Sequence, residues 1–335
     1  MRRRTVFAIA ALCGVVGAIA VASASAADEL PQLRFPVLCT LGETCFIQQT
    51  MDRDPGPGAR DFTCGPMSYD GHSGTDIRLP DRADIARGWY VFAALPGRVR
   101  GLRDGVPDTG HAAMREGQDC GNGVAITHEG GWETQYCHLR MGSIAVEVEQ
   151  EVQAGTILGK IGYSGATEFP HLHLSVRLNG EDVDPFDPSD AATCGAGANA
   201  LWAVPVPLVP GGFLHIGFSD GVPDYAAVKA GHADAQTLTG SAEALVVWVN
   251  LFSGRAGDDV TLRIIGPDGE PFHDRIFTLD RTQAEVFRAS GRRAPPQGLP
   301  HGLYRGVAEL WRDGTLIDRV ETVIRVDYKV DSPDL

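Results

Sequence analysis

The segment Pro170-His171-Leu172-His173-Leu174-Ser175-Val176 leaves the chain little choice of local structure. Leu172, Leu174 and Val176 alternate with His171, His173 and Ser175, a period of two that belongs to a strand half-buried on one face. The chain must therefore build a sheet with a core beneath this strand. Both imidazoles leave the opposite face together, and two histidines on one sheet face are half of a metal site. Gly71-His72-Ser73-Gly74-Thr75-Asp76 offers a further His and a carboxylate, and Gln135-Tyr136-Cys137-His138-Leu139 offers another His. Two His, one carboxylate and an open position make the inventory of a catalytic zinc site. By the same period of two, Tyr136 and His138 are expected to share a strand face and to turn into one groove with the histidine pair.

The rest of the chain is read as β structure. Gly (41) and Pro (21) are plentiful among 335 residues, which favours turn-rich sheets over helical bundles. Strands are expected at 89–94, 98–102, 123–128, 133–139, 145–152, 156–161 and 171–178. Glu129-Gly130-Gly131 and Asn179-Gly180 supply turns, and no amphipathic helix is expected in this region. The Gly- and charge-rich stretch 103–119 reads as a long surface loop beside the site. A boundary is expected at 191–204, where Gly195-Ala196-Gly197-Ala198 loosens the pattern. Beyond it, strands at 244–251, 260–265, 274–279, 302–312 and 315–325 suggest an immunoglobulin- or fibronectin-like β-sandwich over 205–335. The expected class is thus all-β: a metal-site domain at 61–190, preceded by an irregular Pro-rich lead-in at 27–60 and followed by the sandwich.

Residues 1–26 read as a secretory signal peptide: Arg2 to Arg4, an apolar run from Val6 to Val21, then Ala24-Ser25-Ala26. Six cysteines remain after it, an even count that suits disulfides in an exported protein. Cys39 with Cys45 is plausible as a local loop, and Cys64 with Cys120 would staple loops near the site. The formal charge is −14. Such a chain lacks the Lys and Arg that drive nucleic-acid binding and the basic cluster that holds proteins on anionic lipid, so neither partner is expected, nor a membrane anchor once the leader is gone.

The histidine motifs occur in a recognisable order. His72-x-x-x-Asp76 comes first, then Gly121-Asn122-x-Val124-x-Ile126-x-His128 and Tyr136-x-His138-Leu139. Val152 through Gly159 to Ser164-Gly165 follow, then Pro170-His171-Leu172-His173 and Asp184-Pro185. From about Gly71 to Pro185 this resembles the lysostaphin/LytM-type zinc endopeptidases, which cut peptide bonds in bacterial peptidoglycan. Leu174 stands where that family usually has Phe, and Ala166-Thr167-Glu168-Phe169 lacks its usual Thr-Gly.

The resemblance implies a LytM-like antiparallel β fold and one zinc per chain, held by His72, Asp76 and His173. It implies His138 and His171 as catalytic residues, in a bacterial periplasmic or secreted enzyme acting on peptidoglycan peptides. No His-Glu-x-x-His glutamate is present, so proton transfer would fall to the histidines. Gln48, Gln49 and Asp52 are candidates to occlude the open metal position. His111 reads as a solvated loop residue and His128 as a support of the sheet. Three other readings have a basis in the residues. One is a non-catalytic scaffold or activator of other hydrolases, which retention of all five positions disfavours. Another is a biotin- or lipoyl-type barrel, suggested by the turn within Glu149–Gly162 but lacking a lysine at a hairpin tip, since Lys160 falls inside a strand pattern. The third is a secreted toxin or lysin aimed at other bacteria, for which the C-terminal region, neither basic nor repetitive, offers no obvious cell-wall targeting module.

Overall fold

The computed structural model describes residues 30–189, 194–195 and 200–328. The expected leader and part of the expected boundary segment lie outside the described residues. The architecture is almost entirely β, and no helix among the described residues is long and apolar enough to cross a membrane.

Ten strands build the first half: β1 (Phe46–Gln49), β2 (Thr75–Arg78), β3 (Tyr90–Phe92), β4 (Gly97–Arg103), β5 (Asn122–Thr127), β6 (Trp132–Leu139), β7 (Glu151–Val152), β8 (Ile157–Lys160), β9 (His171–Leu178) and β10 (Glu181–Asp182). The main sheet runs β1-β2-β9-β6-β5-β4-β7, with β10 on the end of β9 and a separate β3–β8 pair. Each pairing between these strands is antiparallel. The alternation that predicts β9 also sets its burial. Leu172, Leu174 and Val176 enter a core with Ile77, Val99, Ile126, Tyr136, Leu139 and Leu158.

Two strands of this sheet escape the periodicity argument. β2 is Thr-Asp-Ile-Arg and is buried at every position; Asp76 and Arg78 find partners distant in sequence, so its place in the sheet leaves no local signature. Residues 27–60 do more than lead in. Their prolines argue against regular structure, yet β1 pairs with β2, and Leu33 packs in the core beside Leu201 and Trp202.

The second half comprises β11 (Gly212–Ser219), α1 (Tyr225–Ala230), β12 (Thr237–Thr239), β13 (Ala244–Gly254), β14 (Asp259–Ile265), β15 (Pro271–Thr278), β16 (Gln283–Arg293), β17 (Gly302–Arg312) and β18 (Thr315–Asp327). One sheet is β11-β13-β16 and the other β12-β18-β17-β14-β15. They share a core in which Leu245, Val247, Val249 and Leu251 of β13 meet Leu262, Ile264, Ala308, Leu310 and Ile324. Alternate residues of β13 point the other way and are buried as well. Phe252 packs with Phe46 and Met67 of the first half in a small apolar cluster, its ring 5.4 Å from that of Phe46. A strand covered on both faces carries a continuous apolar run, which is why 244–252 reads Ala-Leu-Val-Val-Trp-Val-Asn-Leu-Phe.

Three disulfides join Cys39–Cys45, Cys64–Cys194 and Cys120–Cys137. The local loop is as expected. Cys64 and Cys120 do not pair with each other, because each lies beside a different partner: Cys120 at the end of the 103–119 loop meets Cys137 of β6, and Cys64 meets Cys194, 130 residues along the chain.

Candidate active site

Antiparallel pairing of β2 and β9 sets Asp76 directly opposite His173 and Arg78 opposite His171, a spacing at which cross-strand side chains touch. His72 comes from the turn before β2. That turn needs a positive φ of 76° at Gly71 and is tied down by the Gly71 N–H donating to Asp52 Oδ2 at 3.0 Å. The Asp52 carboxylate also accepts from the Asp54 and Arg60 N–H groups, so it organises the turn and does not occlude the site.

His72 Nε2, Asp76 Oδ1 and His173 Nδ1 form a triangle with edges of 3.2, 2.9 and 3.2 Å. A tetrahedral zinc with ligand bonds of about 2.0–2.1 Å separates its ligands by about 3.3 Å, so the donor set and its spacing fit the ion. The remote nitrogens are committed. His72 Nδ1–H donates to the Thr50 carbonyl at 2.6 Å, and His173 Nε2–H donates to Ser175 Oγ at 3.0 Å. Each tautomer therefore aims a lone pair at the centre of the triangle. Among the described residues, these three could hold a metal ion.

Electrostatics favour an ionised carboxylate there. Burial pushes Asp76 up, but the facing imidazoles of His171 and His72, with His173 close beside them, hold it well below the usual carboxylate range. Burial lowers His72, yet Asp76 outweighs it and the net direction is up. Burial dominates at His173, which is lowered.

His138 and His171 stand beside the triangle, their ring centroids 4.5 Å apart. His138 Nδ1–H donates to the Ser164 carbonyl at 2.7 Å and His171 Nδ1–H to the Phe169 carbonyl at 3.0 Å. Both therefore present Nε2 to the groove, and that of His171 lies 3.3 Å from Asp76 Oδ1. Burial, reinforced by His171 and His173, holds the His138 imidazole well below its ordinary value, so it is neutral near pH 7.

The expectation for Tyr136 needs correction. Between the β5–β6 pairs Asn122↔Leu139 and Val124↔Tyr136, β6 carries one extra residue. At this bulge His138 adopts φ 61°, a left-handed conformation rare for a non-glycine residue. The bulge breaks the period of two. His138 faces the groove, while Tyr136 is fully buried in the core with its hydroxyl accepting from the Ala94 N–H at 2.7 Å.

The rest of the recurring motif holds that bulge in place. The His138 N–H donates to the Cys120 carbonyl at 2.8 Å, and the Cys120–Cys137 bridge closes the same turn. Ser164 Oγ–H donates to the Leu139 carbonyl at 2.7 Å and accepts from the Asn122 N–H at 2.9 Å. The Asn122 side chain donates to Val106 and Leu139 carbonyls and accepts from the Val106 N–H, which anchors the 103–119 loop. Gly121 and Gly165 lie face to face with positive φ, and a Cβ on either would strike the other segment's backbone.

Over residues 70–185 the sequence matches the family described as Peptidase family M23. Residues 70–185 are thus the part of the chain similar to M23 peptidases. Over 65 residues the chain is 42% identical to the DD-carboxypeptidase/endopeptidase Mpg of Neisseria meningitidis serogroup B, covering 19% of this chain and 14% of that protein. Over 121 residues it is 38% identical to the cell division protein DipM of Caulobacter vibrioides, covering 36% and 17%. The chain thus spans under a fifth of the length of these relatives. The catalytic domain of lysostaphin from Staphylococcus simulans is 22% identical, with a TM-score of 0.26, covering 39% of this chain and 86% of that one.

The groove above the M23 histidines has a volume of about 640 Å³. Gln49, Tyr69, Thr167 and Phe169 line it beside the histidines, and exposed His111 reaches its rim. Gln48 also lines it but is engaged by Arg78. Burial pushes the Tyr69 hydroxyl up to about 12, with Asp76 adding to it, so it stays protonated as a donor. Tyr69 sits three residues before His72 and carries no spacing signal of its own. His128 is structural as expected, bonded to the Pro96 carbonyl at 2.8 Å and Thr134 Oγ1 at 2.8 Å.

Proposed function

We propose that this protein is an exported zinc-dependent endopeptidase that hydrolyses peptide crosslinks of bacterial peptidoglycan, with one zinc per chain. The observation that carries this reading is the convergence of the His72/Asp76/His173 triangle with two further histidines that both turn Nε2 into the same groove. The N-terminal leader pattern supports export to the periplasm or the exterior.

His72, Asp76 and His173 would hold the ion, which when bound supplies Lewis-acid polarisation of a carbonyl and stabilises developing negative charge. Neutral His138 can accept a proton at Nε2, with the resulting charge stabilised by the Ser164 carbonyl on its Nδ1–H. His171, fixed by Phe169 and Thr167, stands within one ring's width of it. Between them the two side chains can take a proton from an attacking water and deliver one to the leaving amine. Tyr69 supplies a hydroxyl donor at the groove wall.

The test is zinc content by elemental analysis of residues 27–335, paired with amine release from purified peptidoglycan with and without chelator. His72→Ala and Asp76→Ala should lose both zinc and hydrolysis. His138→Ala and His171→Ala should keep zinc and lose turnover by about 100-fold or more. Hydrolysis retained in both of the latter overturns the assignment, and zinc without hydrolysis in the unmutated chain favours the scaffold reading.

A further inference from the structure

One wall of the groove is not part of the M23 domain. Tyr225 and Lys229 of α1 and Gln283 to Glu285 of β16 line the same cavity as Asp76, His138, His171 and His173. Contacts of three kinds hold this wall in register with the histidines. Arg78, two residues after Asp76 on β2 and 1% exposed, has Nη2 3.5 Å from Glu285 Oε1, and its guanidinium lies 4.6 Å from the Phe169 ring centroid. Asp81 pairs with His215 at 3.2 Å. The Arg82 N–H donates to the Lys229 carbonyl at 3.1 Å, which ties the backbone of Lys229 itself to the M23 domain.

The charges along the groove are not all free. Asp76 belongs to the metal triangle, and Glu285 is taken by Arg78 and by Asn250 Nδ2 at 2.6 Å. Among the described residues Lys229 is the only Lys or Arg lining the groove. It is half-buried and makes no ion pair with another described residue, its Nζ lying 4.9 Å from the Tyr225 ring centroid. Glu168, on the loop before His171, is the other charged side chain left to meet a substrate. An ammonium held in a cleft with protein walls attracts an anion more strongly than one in open water.

We propose that the C-terminal sandwich completes the substrate groove and that Lys229 binds a free carboxylate carried by the peptide substrate. This rests on the peptide-substrate reading above. Specificity then resides partly outside the M23 domain: the histidines serve hydrolysis of the bond, while α1 selects peptides whose carboxylate is free over those in which it is amidated.

The test uses two synthetic peptides identical except that one carboxylate is replaced by a carboxamide. Their dissociation constants are measured by calorimetry on zinc-loaded residues 27–335 carrying His171→Ala to prevent turnover. The carboxylate peptide should bind about tenfold more tightly, the scale of one charge-assisted hydrogen bond at a half-buried site. Adding Lys229→Gln should remove the preference, and Lys229→Arg should keep most of it. No binding, no preference, or a preference that survives Lys229→Gln overturns the proposal. Cleavage of the same peptides by the chain with His171 intact reports separately on the enzyme. Preference without cleavage would sink the peptidase reading and leave the subsite standing; cleavage without preference would do the reverse.

Discussion

Gly74→Ala is the sharpest single test of the metal triangle. Gly74 lies just before β2, beneath the His173 ring. A Cβ there would sit 2.5 Å from the Leu174 carbonyl oxygen, 2.7 Å from His173 Nε2 and 2.9 Å from His173 Cε1. The carbonyl cannot retreat cheaply, because Leu174 pairs with Thr75 on one side and Tyr136 on the other. The ring cannot turn freely, because Ser175 and the triangle hold its two nitrogens. Restoring even a tight contact of 3.0 Å to the carbonyl requires a shift of about 0.5 Å, whereas zinc ligands tolerate about 0.2 Å. Zinc affinity should therefore fall about 10–100-fold, the cost of displacing a ligand's support, and overpacking should take about 1–3 kcal/mol of stability. Competition with a chromophoric chelator measures the first and urea unfolding the second. Gly101→Ala, whose Cβ would meet nothing within 4 Å, is the control and should bind zinc as the unmutated chain does. A Gly74→Ala chain within twofold of normal zinc affinity would refute the argument that packing under His173 sets the triangle.

Other perturbations probe the structure around it. Glu285→Ala strands the buried Arg78 guanidinium and should cost about 3 kcal/mol in urea unfolding; a loss under about 0.5 kcal/mol would mean the pair holds nothing. His215 is raised from its ordinary 6.5, chiefly by its hydrogen bond to Asp81. Its contribution is full below pH 6.5 and is lost as pH rises through the higher folded value. Asp81 is lowered despite burial, so its share persists at acid pH until its depressed value is reached. His215→Phe should accordingly flatten the decline in melting temperature above pH 6.5, and an unchanged decline would discard the pair as its source. Replacing Cys120 and Cys137 together by Ala should remove about 3 kcal/mol. Turnover should fall by more than zinc content, because the bridge closes the turn that carries His138, whereas it meets the ligand His173 only through the strand pairing of Cys137; equal losses in both would contradict that division.

What the sequence determined by itself is what backbone geometry makes local. A period of two puts His171 and His173 on one face and Leu172, Leu174 and Val176 in the core, whatever surrounds them. Motif order was enough to name His72, Asp76, His138, His171 and His173, and the structure brings all five together. The all-β class follows from the same short-range patterns, and β9 and β17 keep the bounds read from them.

Tertiary structure decided what depends on partners far along the chain. β2 is a polar segment that becomes a buried strand only because β1 and β9 flank it. Tyr136 and His138 part company at a bulge whose extra residue is defined only against β5. Cys64 finds Cys194 across 130 residues, and Lys229 reaches the groove only because Arg78, Asp81 and Phe46 meet the sandwich. Periodicity is written in the covalent chain, but contact between distant segments is won by burial and charge pairing in three dimensions, which leave no spacing to read.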